Sequence, residues 1–203
     1  MSDMALPATA TRHAALLGRG RSLEAATLGW NVAGIVVLAI AAIGAHSVAL
    51  AGFGMDSLIE IGASTVVLWE LSGTGAQRQR RALRLIAAAF LVLAAYLAIQ
   101  TLVVLASGYH PQHSPLGITW TAITALAMFA LAAGKKQTGR RLNNPVLITE
   151  SRVTAVDGTL ALAVLAGLVL NATLGWWWAD PAAGFVIVYY ALHEALAIST
   201  DNA

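Results

Sequence analysis

The chain has 203 residues, of which 58% are apolar and 11% charged, with a mean hydropathy of +0.72. A water-facing globular domain carries roughly a quarter charged residues, so this composition excludes a sizeable soluble domain and points to an all-α, polytopic membrane protein. The net charge of +2 and pI of 9.3 do not imply nucleic acid, because the basic residues flank apolar spans where anionic lipid is the neighbour.

Residues 1–22 contain Pro7, Arg12, His13, Arg19 and Arg21 without a sustained apolar run, and are expected to form a cytoplasmic N-terminal arm rather than a signal peptide. Residues 23–199 then divide into six expected transmembrane helices. The first covers 23–45, and the second follows at 47–71 after His46. A polar link ends in Arg78, Gln79, Arg80 and Arg81, and the third span runs over 82–107 with Arg84 near its start. After a turn at 109–115 the fourth span covers 116–134, a basic link covers 135–145 and the fifth span covers 146–174. Pro181 opens the sixth, since a first-turn proline has no backbone donor to lose. Residues 200–203 are expected as a short cytoplasmic tail.

The basic residues fall in three clusters: Arg12, Arg19 and Arg21; Arg78, Arg80, Arg81 and Arg84; and Lys135, Lys136, Arg140 and Arg141. Only Arg152 lies elsewhere, one turn inside span five, placed to snorkel or to pair with Glu150. The positive-inside rule therefore puts both termini in the cytoplasm, with a bacterial inner membrane as the expected location. Trp176, Trp177 and Trp178 then fall at the outer interface, which favours amphipathic indoles.

Ionisable groups inside a membrane usually face a cavity, a partner or an ion. Span two carries Asp56 and Glu60, whose spacing of four puts them on one helix face. Asp56 lies roughly 13 Å below the outer end of its span, and Asp157 roughly 16 Å in from the cytoplasmic end of span five. Two helices arriving from opposite sides thus bring carboxylates to nearly one depth. Glu150 is on broadly the same face as Asp157 but nearer the cytoplasmic mouth. Asn31 in span one either bonds a neighbouring helix or supports the site, and His110 and His113 have ligand-like spacing in an outer loop. Oxygen donors with no buried counter-cation suggest a divalent cation, and a midplane position suits alternating access.

The segment 47–64, with Asp56-Ser57-Leu58-Ile59-Glu60 at its centre, and Ala179-Asp180-Pro181 before the last span resemble the cation diffusion facilitators, and most closely a short, tail-less branch. The resemblance covers roughly 23–196. It implies that Asp56, Glu60 and Asp157 are metal ligands; Glu150, Thr154 or water is left to complete the shell. Val153 stands where zinc-transporting members commonly have His. It also implies efflux of zinc or a similar transition metal (manganese, iron or cobalt) in exchange for protons. No tightly bound cofactor is expected, the metal being the transported substrate. The partners are the lipid bilayer, the cation and protons, and a homodimer through the transmembrane helices is open to it.

Two other classes fit less well. An intramembrane aspartyl protease resembles its relatives in Gly-x-Gly-Asp, whereas this chain has Gly52-Phe53-Gly54-Met55-Asp56, so no enzyme is expected. A membrane metal-binding or assembly protein that does not transport is the stronger alternative, because a buried site need not turn over.

Overall fold

A computed structural model describes residues 5–45, 48–73, 76–108, 113–176, 178–179, 185, 188–189, 191–193 and 195–198. Among these, the helices are α1 (Ala5–Ala45), α2 (Val48–Leu71), α3 (Ala76–Ser107), α4 (Pro115–Leu142) and α5 (Pro145–Leu174). Where the sixth span is expected, the described positions are helical, and Ala191, Ala195 and Ile198 are buried at helical spacing. The remainder of that span, with Asp180 and Pro181, lies outside the described residues, as does the tail at 200–203.

Four segments are long and apolar enough to cross a membrane: Thr11–Ala45, Gln77–Ser107, Pro115–Leu142 and Pro145–Leu174. Helix α2 is interrupted by carboxylates, yet its 24 residues rise roughly 36 Å, against a hydrocarbon core of about 30 Å. Val32, Val36, Ile40 and Ile43 line the outside of α1 at helical spacing, and Ile99, Leu102 and Val103 do the same on α3, all more than half exposed. Such a surface would be a liability in water and is the ordinary one against lipid.

From Ala5 onward the region expected as an arm is helical and continuous with the rest of α1. Pro7 is tolerated there because it falls in the first turn, and the helix continues past Gly18 and Gly20 without a break. Gly20 is buried, and a Cβ at that position would meet side chains of Leu147, Leu71 and Thr138. Arg21 donates to the Leu71 carbonyl at 2.9 Å and Arg19 to Gln137 Oε1 at 3.2 Å. These bonds tie the start of α1 to the ends of α2 and α4.

Helices α4 and α5 form a tight hairpin with chemically explicit ends. The Ser114 hydroxyl accepts from Gly117 N–H, and Pro115 starts α4. Asn143 closes it in the left-handed region at φ 49°, and the next residue, Asn144, caps α5 by accepting from Leu147 N–H at 2.9 Å. Asparagine is one of the few residues with a side chain that adopts the left-handed conformation readily, and its carbonyl oxygen is a good N-terminal cap. Gly139 lets the pair approach: a Cβ there would lie 2.9 Å from Ile148 Cγ1 and 3.0 Å from its backbone nitrogen.

The three basic clusters gather at one end of the bundle. Arg78 donates to the Trp69 carbonyl and to Ser72 Oγ, and its guanidinium sits 4.1 Å over the Trp69 ring. Cations at helix C-termini satisfy free carbonyls and oppose the helix dipole. Span four, expected to end at Gly134, runs to Leu142, so the first residues of the expected basic link belong to the helix.

Candidate metal centre

Helices α2 and α5 run antiparallel and meet along a polar seam. From the basic end inward, Asn144 donates to both carboxylate oxygens of Glu70 at 3.3 and 3.1 Å. Next, Ser64 Oγ donates to Glu150 Oε1 at 3.4 Å, and Thr154 Oγ1 donates to Glu60 Oε1 at 2.7 Å. At the inner end the carboxyls of Asp56 and Asp157 lie within hydrogen-bonding reach of each other. A step of three to six residues, about one or two turns, along one helix is matched by a similar step in the opposite direction on the other, which keeps both sets on the facing stripe.

Asp56, Glu60 and Asp157 are all buried, none more than 3% exposed. Apart from the approach of the two aspartates, Asp56 Oδ2 and both Asp157 oxygens meet no donor among the described residues. Buried polar atoms are ordinarily satisfied, and carboxylate oxygens left over in this way are the donor set a hard or borderline cation accepts. Glu60 lies one turn, roughly 6 Å, toward the basic end and faces Thr154. The three carboxylates are therefore neighbours along a seam rather than one closed cage, and no group of three or more His, Asp or Glu side chains surrounds a single point among the described residues.

The expectation of no buried counter-cation is corrected by Lys135. It falls in the stretch expected as a basic link, yet it is fully buried. Its Nζ lies 3.0 Å from Glu24 Oε2 and 3.0 Å from Glu150 Oε1, and it donates to Thr154 Oγ1 at 2.8 Å. Of the three donors of the ammonium, two are used by Glu150 and Thr154, and Glu24 adds an ion pair. Burying a lone charge is prohibitive; two carboxylates and a hydroxyl make this one tenable. Glu150, on the basic-end side of Asp157, is buried as a partner of Lys135.

The remaining positions divide clearly. Asn31 is buried and donates to the Thr27 carbonyl of its own helix at 3.1 Å. Val153 is buried, whereas Arg152 and His113 are exposed. Trp176 stacks on Trp178 at 5.4 Å, both about half exposed. His110 and Trp177 lie outside the described residues.

Glu24 and Lys135 are what reading the sequence missed. A signal existed for each. Glu24, Thr27 and Asn31 follow helical spacing on one buried face of α1, and Lys135 and Thr138 extend the buried stripe Thr121, Thr124, Met128 and Ala132 on α4.

The sequence profile of the cation efflux transmembrane domain matches residues 25–203. No curated relative matches the chain.

Proposed function

The chain belongs to the cation efflux transmembrane domain family, and on that premise we propose that it exports a divalent transition metal, zinc or one similar, through the α2–α5 seam. The family makes it an integral membrane protein of a cation-transporting kind. What carries the finer reading is the buried Asp56–Asp157 pair, of which Asp56 Oδ2 and both Asp157 oxygens lack donors among the described residues, and whose helices come from opposite sides of the bundle. Asp56 and Asp157 hold the cargo from facing helices. Glu60 supplies a third carboxylate, and Thr154 orients it through their 2.7 Å hydrogen bond.

Proton exchange follows from the same chemistry. A dication binds the ionised carboxylates, whereas desolvation in an apolar interior favours the protonated ones, so metal and protons compete for the same oxygens. Protons arriving from the outer side would displace the cargo there. The gathering of Arg21, Arg78 and Arg140 at one end supports a cytoplasmic basic end, and hence both termini in the cytoplasm of a bacterial inner membrane. Assembly as a homodimer through the transmembrane helices is compatible with this reading.

Reconstitution into vesicles tests it. Purified protein should move zinc, manganese or cobalt with an opposite change of internal pH, and Asp157→Asn should not. Stoichiometric metal binding without flux would instead make the chain a membrane metal-binding protein.

A further inference from the structure

The seam has two ends of different character. At the basic end Glu70 and Asn144 line a cavity of about 360 Å³, together with His13, Arg21 and Gln79. At the inner end lie Asp56 and Asp157. Between them, one rung short of Glu60, stands Lys135. It reaches α1 through the ion pair with Glu24 and α5 through hydrogen bonds to Glu150 and Thr154. Ser64 and Glu60 of α2 are bonded in turn to Glu150 and Thr154, so four helices are tied at one level by a single ammonium.

We infer that Lys135 is a positioning residue that closes the route from the basic end to the cargo site, and that its contacts with Glu24 and Glu150 must part before a cation from that end reaches Asp56 and Asp157. Three observations carry this. The ammonium lies on the seam between the cavity and the aspartates. The side chains of Lys135, Glu24 and Glu150 are fully buried, so this level is shut to solvent. The ammonium also links α1 and α5 to α4 at this level, so opening it requires those contacts to part. The nature of the passing ion rests on the carrier reading above; the closure itself does not.

The chain has no cysteine, which permits a direct test with a thiol at the cargo position. Asp56→Cys protein in oriented vesicles is treated with a membrane-impermeant thiol reagent from either face. Removing the tether, either by Glu24→Gln alone or by the uncharged set Glu24→Gln, Lys135→Met and Glu150→Gln, should speed labelling from the basic face. Coupling of conformations by contacts of this kind is worth roughly a 5- to 150-fold change, and labelling from the other face should not accelerate. An unchanged rate from the basic face overturns the inference, as does equal acceleration from both faces, which would mark general loosening. Should the triple variant fail to fold, Glu24→Gln decides alone, because it leaves the Lys135–Glu150 pair in place. Metal flux is measured separately in protein that retains Asp56. Absent flux with the labelling change would remove the carrier reading and keep the closure, and flux without the labelling change would do the reverse.

Discussion

The ammonium of Lys135 lies 3.0 Å from the carboxylate of Glu150, and neither side chain is exposed. The two residues are 15 apart in sequence, on helices joined by the Asn143–Asn144 turn. The hairpin geometry brings a nominally basic link and a nominally acidic mouth into one buried pair, which Glu24 of α1 completes at 3.0 Å.

Removing one partner of a buried charge set is more damaging than removing all of it. Lys135→Met leaves Glu24 and Glu150 facing each other without a cation, and should destabilise the protein by about 3–5 kcal/mol. Adding Glu24→Gln and Glu150→Gln should recover much of that loss, because the set then carries no charge. Thermal unfolding in one detergent compares the three proteins. A single variant as stable as the parent would mean that Lys135 is not held as described.

Asp56→Asn, Glu60→Gln and Asp157→Asn preserve shape and remove an anionic donor each. Outer partners of metal ligands are worth roughly 10–100-fold in affinity or activity, so the ligands themselves should be worth at least that in metal flux. Vesicle transport at matched protein density provides the measurement. Any of the three that carries metal at the parent rate leaves the site.

Topology can be read with cysteines at two exposed positions, Gln77 near the start of α3 and His113 before α4. With a cytoplasmic basic end, His113→Cys should label in intact cells and Gln77→Cys only after permeabilisation. The reverse pattern would invert the direction of export.

Val153 is buried four residues before Asp157, close to one helical turn. An imidazole suits zinc and cobalt, and all-oxygen sites are comparatively favourable to manganese. Val153→His is expected to raise the zinc-to-manganese transport ratio. If the variant folds and transports with the ratio unchanged, residue 153 does not face the ion.

A membrane-embedded all-α chain was legible from composition alone, because lipid requires long apolar segments whose backbone bonds close internally. The polar seam was legible in part. Asp56 and Glu60 share a face by local geometry, and the opposed directions of α2 and α5 predict a common depth with Asp157. Lys135 was not, because a charge after an apolar run reads as the end of a span. Whether it ends the span or enters the core depends on a carboxylate 111 residues earlier, Glu24, and another 15 residues later, Glu150. The start of α1 is similar: nothing local tells that Arg19 and Arg21, both exposed, bond Gln137 and the Leu71 carbonyl. Helical period and hydropathy are properties of neighbouring residues and can be read from them directly. The partners that make a buried charge tolerable come from distant segments and exist only once the helices have packed.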